Sequence, residues 1–151
     1  MVDVKAKRNA ARRRSISAAA MIEAVQGWAQ RREDVRALAL VGSHARGDAR
    51  GDSDIDFVLL CSDPTLYLQR TDWLSTFGEV ARFSTEDWGH VQSVRVWYRN
   101  GPEVEFGITG LEWAAIPPDR GTSEVLRNGS SILVDRDGSL GRVMQVVRGS
   151  A

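Results

Sequence analysis

The chain has 151 residues, 42% of them hydrophobic and 26% charged, with 20 basic and 20 acidic side chains and a formal net charge of zero. That length and apolar share suit one soluble domain able to bury a core without disulfides or metals. The balanced charge excludes an overall field that would gather nucleic acid or anionic lipid, and no apolar run is long enough for a transmembrane helix. A single cysteine, Cys61, ends an apolar run. It reads as a buried, inert thiol in a reducing, cytoplasmic setting.

The first residues carry Lys5, Lys7, Arg8, Arg12, Arg13 and Arg14. Residues 1–14 are expected to form a basic, solvated segment ahead of a domain spanning 15–148. A helix is predicted from Ser15 to Arg32, because Met21, Val25, Trp28 and Ala29 recur at spacings of three and four. "VRALALV" at 35–41 reads as a buried strand that ends at Gly42, and "IDFVLLC" at 55–61 as a second strand. Between them the chain is polar and glycine-rich, a turn that opens a short helix at Ser43.

Pro64 is placed to start another helix. That helix is expected to run through Leu66, Leu68, Trp73, Leu74 and Phe77 and to stop at Gly78. "VQSVRVWY" at 91–98 alternates so that Val94, Val96 and Tyr98 share a face. "RNGPE" then turns the chain into "VEFGIT" at 104–109, which predicts a hairpin. "SILVD" at 131–135 is a further strand, and Leu140 to Val147 a last helix. The order α, β, turn or short helix, β, α, β, β and shorter pieces points to an α/β or α+β domain with a mixed sheet.

Chemistry concentrates at three places. "GS" at 42–43 joins a strand to a helix start, where backbone amides and a hydroxyl favour an anion such as phosphate. In "SDIDF" at 53–57, residues two apart on a strand face the same way. Asp54 and Asp56 therefore share one side, with Ile55 and Phe57 on the other. Two adjacent carboxylates repel unless solvent or a cation lies between them, and an oxygen-rich pair of this kind suits magnesium beside a substrate phosphate. Glu105 sits inside the apolar strand "EVEFGIT", where a carboxylate needs a partner. Glu103, next to Pro102 at the turn, is expected to be solvated.

"GS", a spacer of ten residues, "DIDF" and a later "VEF" resemble the nucleotidyltransferase superfamily of DNA polymerase beta type. "GSHARG" is similar to the form found in small bacterial nucleotidyltransferases and aminoglycoside nucleotidyltransferases. "DWLSTFGEV" and "VWYRNGPEVEFGIT" resemble the streptomycin-type aminoglycoside adenylyltransferases more weakly. The strong motif covers about residues 38–60 and 103–109, and the weaker likeness most of 35–135. The resemblance implies a single polymerase-beta-like nucleotidyltransferase domain, a mixed β-sheet flanked by helices. It implies transfer of a nucleoside monophosphate from a nucleoside triphosphate, with ATP expected, to a hydroxyl of a small molecule or protein. Asp54, Asp56 and Glu105 would be the catalytic and metal-binding residues, holding two Mg2+ ions. Gly42, Ser43 and Arg46 would bind the nucleotide.

For Arg46 a salt bridge to Asp48 or Asp52 is the competing reading, and His44, His90 and most tryptophans are read as bystanders or packing. No helical second domain is expected after the last strand, and the acceptor surface is then expected from a second copy of the chain or from another protein. The alternative reading is an antitoxin-like or nucleotide-binding module acting with a helical partner. The twin Arg-Gly-Asp triplets at 46–48 and 50–52 fall inside the spacer of the stronger motif, which sets adhesion aside. Neither membrane nor nucleic acid is expected as a partner.

Overall fold

The computed structural model describes residues 15–149, so the basic segment read over 1–14 lies outside the described residues. The chain runs α1 (Ala18–Gln30), β1 (Val35–Val41), α2 (Ser43–Arg46), β2 (Ile55–Cys61), α3 (Pro64–Gln69) and a 3-10 turn (Asp72–Phe77). It continues through β3 (Val80–Asp87), β4 (Gln92–Tyr98), β5 (Glu103–Thr109), a 3-10 turn (Leu111–Ala114), α4 (Arg120–Arg127), β6 (Ser130–Asp135) and α5 (Ser139–Gly149). The six strands form one mixed sheet in the order β3-β4-β5-β2-β1-β6. Among the described residues one pairing, β2 with β5, is parallel and the other four are antiparallel.

The period of two along the strands sorts side chains between two cores. Leu38 and Leu40 of β1, Phe57 and Leu59 of β2, Val94 and Val96 of β4, and Val104 and Phe106 of β5 all face α1 and the 64–77 segment. The stripe Met21, Val25, Trp28 and Ala29 of α1 is buried there, as its spacing requires. Phe57 and Phe106, paired across the parallel ladder, stack at 5.6 Å, and Trp28 and Trp73 stack at 5.2 Å. On the opposite face Ala37, Ala39, Val58 and Leu60 pack under α4, α5 and Trp113. Those helices cover the β6–β1–β2 side of this face and leave β4 and β5 more open, which is where the polar side chains lie.

Ser17 caps α1, its hydroxyl accepting from the Ala20 amide at 3.1 Å. Ser17→Ala is expected to cost about 1 kcal/mol of stability, read as a shifted midpoint in chemical denaturation with an unchanged slope.

Three expectations are corrected. The helix predicted from Pro64 to Phe77 is broken at Arg70, whose backbone is extended. In an unbroken helix the Tyr67 carbonyl would accept from the Thr71 amide. Here it accepts from the Trp73 indole at 2.9 Å, and both rings enter the aromatic cluster against Trp28. Residues 80–87 form a strand that the sequence reading missed, because β3 is an edge strand exposed on both faces and carries no alternation. The stretch read as shorter pieces holds α4, capped by Asp119, whose carboxylate accepts from the Thr122 amide at 2.7 Å. Cys61 is buried as expected, and burial pushes its thiol up to about 12.

Candidate active site

Strand register places the carboxylates side by side. Asp56 of β2 is the Cα partner of Glu105 on β5, and Glu105 is the partner of Arg95 on β4. Val41 at the end of β1 pairs with Asp56 on its other side. One row therefore crosses the sheet as Val41, Asp56, Glu105 and Arg95. All four side chains stand on the face away from Phe57 and Phe106. Asp54, two residues before Asp56, stands on the same face.

Single carboxylate oxygens of Asp54, Asp56 and Glu105 lie within 4.8 Å of one another. Asp56 Oδ1 is buried and has no hydrogen-bond partner among the described residues. Burial, then the charges of Asp54 and Glu105, push the Asp56 carboxyl up to about 7, against the opposing pull of Arg95. An orphaned carboxylate oxygen beside two more carboxylates is a donor set that fits a small, hard divalent cation.

Gly42 has φ +75° and ψ −153°, a conformation that side chains rarely adopt. A Cβ there would stand 2.6 Å from Asp56 Oδ2. The glycine thus serves two ends: it turns β1 into α2, and it leaves room for the buried carboxylate. α2 starts at Ser43, and its Ala45 and Arg46 amides both turn back to the Gly42 carbonyl at 3.1 Å. Beyond it the spacer loop is braced, with the Arg50 amide donating to Ser53 Oγ at 2.8 Å.

A family described as streptomycin adenylyltransferase matches residues 16–147. The chain belongs to that family. No curated protein matches the sequence. Among solved structures, an aminoglycoside 6-adenyltransferase from Bacillus subtilis superposes with a TM-score of 0.51 at 16% identity, over 62% of this chain and 35% of that one. At that identity the likeness is one of fold, and the match spans about a third of the neighbour's length.

In this member of the streptomycin adenylyltransferase family, Asp54, Asp56 and Glu105 come together next to Gly42 and Ser43. Arg46 is exposed and points elsewhere. Its guanidinium pairs with Asp48 at 3.2 Å and donates to the Asn128 carbonyl at 2.9 Å. His44 Nε2 sits 3.5 Å from the Ser53 carbonyl and braces the loop. Trp28, Trp73 and Trp113 are core residues, whereas Trp88, at the β3–β4 turn, is 64% exposed.

Two features escaped the sequence reading. The first is Arg95, which donates to Asp54 Oδ2 and to Glu105 Oε2, both at 3.0 Å, and lies 3.4 Å from Glu103 Oε1. Glu103 is accordingly partly buried and ion-paired rather than solvated. Counting the hairpin register outward from "RNGPE" would have found this partner for Glu105. The second is a cavity of about 400 Å³ that shares the three carboxylates as part of its wall. Val58 lines it from the sheet, and Trp88, Val91, Trp113 and Val125 from the surrounding turns and α4. Those side chains come from four separate segments, so no local motif announced the cavity.

Proposed function

We propose that this chain transfers a nucleoside monophosphate from a nucleoside triphosphate, ATP by its family, to a hydroxyl of a small molecule or a protein, in a magnesium-dependent reaction. The observation that carries this reading is the gathering of Asp54, Asp56 and Glu105 around one point beside the Gly42–Ser43 turn. Those three carboxylates would hold the metal. When bound, magnesium would acidify the acceptor hydroxyl and offset charge on the departing pyrophosphate.

The chain's own residues account for the rest. Ser43 and the first amides of α2, which follow the Gly42 turn beside Asp56, would offer donors to the terminal phosphates. Glu105, which lines the cavity, would take the proton of an acceptor hydroxyl held there. The acceptor oxygen bonds to the α-phosphorus, and the bond to the bridging oxygen of pyrophosphate breaks with its electron pair. Arg46 would have to leave Asp48 to reach the triphosphate. The apolar walls of the cavity suit an acceptor or base with a flat, uncharged face. An aminoglycoside hydroxyl remains one candidate acceptor, by the family and by the neighbour's name.

The test is incubation with each of the four nucleoside triphosphates, Mg2+ and a panel of hydroxylated acceptors, read as added mass. Transfer from ATP by the wild type, and none by Asp54→Asn/Asp56→Asn, is expected. Equal behaviour of the two proteins, in transfer and in binding of the nucleotide–magnesium complex, would sink the enzyme reading.

A further inference from the structure

Arg95 holds two of the carboxylates that a metal would use. Its guanidinium touches Asp54 Oδ2 and Glu105 Oε2 at 3.0 Å each, and both carboxylates belong to the group that would ligate the ion. A magnesium ion bonds oxygen at about 2.1 Å and would bring a double positive charge beside the guanidinium. A guanidinium and a divalent cation drawn to the same two carboxylates compete for their charge and repel each other at this range. Arg95 is also only a quarter exposed, so it does not drift freely into solvent.

A second partner is within reach. Glu103 Oε1 lies 3.4 Å from the same guanidinium nitrogen that touches Asp54. Glu103 and Glu105 are two residues apart on β5 and share the face on which Arg95 stands, directly opposite Glu105 and diagonal to Glu103. Turning about its outer side-chain torsions would let Arg95 give up Asp54 and Glu105 while staying paired. Glu103 is not in the carboxylate cluster that fits the ion. Its charge is therefore available to the arginine whichever way the cluster is used.

Resting on the proposed metal-dependent reaction, we propose that Arg95 is a built-in counter-ion that divalent metal must displace, and that Glu103 is the carboxylate that receives it. The pair sets the affinity of the site for metal. Arg95 keeps the cluster from trapping a bare ion, and a metal that arrives with a triphosphate has the phosphate oxygens to make up the difference. Arg95 is thus a positioning residue for the carboxylates, and Glu103 a positioning residue for Arg95.

The experiment titrates Mn2+ alone, without nucleotide, into the full chain and follows loss of the free-ion electron paramagnetic resonance signal. Arg95→Gln is expected to bind Mn2+ about tenfold more tightly than wild type, a change worth about 1.4 kcal/mol. Glu103→Gln is expected to bind about threefold more weakly, because Arg95 loses its alternative partner, and that effect should vanish in the Arg95→Gln background. Additive effects in the double variant would mean that the two charges act only through the general field, and would overturn the exchange. Wild-type affinity in Arg95→Gln would overturn the displacement while leaving the metal site standing. Absence of Mn2+ binding in every variant would overturn this proposal, whereas the reaction it rests on falls only if nucleotide transfer and nucleotide–magnesium binding also fail. Arg95→Lys, which keeps the charge but cannot fork between two carboxylates, gives the same reading should the glutamine variant fold poorly; its expected affinity lies between the two.

Discussion

Asp56→Asn is expected to lower nucleotidyl transfer by on the order of a thousandfold and, in the same protein, to raise the melting temperature at pH 8. Both effects come from one carboxylate. Asp56 stands on β2 between Val41 and Glu105, with one oxygen buried and unpartnered. Burial and the charges of Asp54 and Glu105 push its carboxyl up to about 7 from an ordinary 3.8.

A carboxyl raised on folding makes the folded state bind more protons than the unfolded one between those two values. The protonated form is therefore stable at low pH, and that stability is lost as the pH rises through about 7. Asparagine resembles the protonated acid and never acquires the charge. The melting-temperature difference between variant and wild type should be small near pH 4, grow from there to about pH 7 and stay level above it. Thermal melts in a chelator across that range measure it. Curves that run parallel over the whole range would show that Asp56 carries no such burden. Excess magnesium should narrow the gap at pH 8, because a ligand bound only by the folded wild type stabilises only the wild type.

Gly42→Ala should destabilise the fold by about 1–3 kcal/mol and abolish metal binding. Its φ of +75° is strained for alanine, and the added Cβ would stand 2.6 Å from Asp56 Oδ2. Either Asp56 or the β1–α2 turn must then move. Gly47 provides the comparison. It also has positive φ, +81°, but nothing lies within 4 Å of its Cβ position. Gly47→Ala therefore pays only for its backbone, about 1 kcal/mol, and should retain transfer activity. Denaturation midpoints and Mn2+ titrations on both proteins separate strain from crowding. If the two variants match in metal affinity, the contact with Asp56 is not what makes Gly42 necessary.

Where a segment buries one face, its pattern was legible. The stripe of α1, the apolar runs of β1 and β2, and the turn between β4 and β5 each announced an element that forms. Asp54 and Asp56 were legible because alternation along a strand is local, and Glu105 because a charge stands among apolar neighbours. What failed depends on pairing with distant residues. β3 is held by the β4 ladder rather than by a buried face, so "VARFSTED" looks like loop. The break at Arg70 follows from the demand of Trp73 for a place beside Trp28. Arg95 lies on the polar side of β4, and its meaning appears only once β4, β5 and β2 are set in register. The cavity beside it depends on turns 20 residues and more apart coming together.

The parallel pairing of β2 with β5 has a consequence for how the molecule can come apart. It is the seam between two antiparallel halves, β3–β4–β5 on one side and β2–β1–β6 on the other. Asp54 and Asp56 belong to one half, and Glu105 and Arg95 to the other. The Asp54–Arg95 ion pair stitches the seam shut from the open face, and stacked Phe57 and Phe106 close it from beneath. A chain that parts there loses its carboxylate cluster before either half has unravelled. The cluster is thus a property of the docked halves, and whatever binds it acts as a clasp between them.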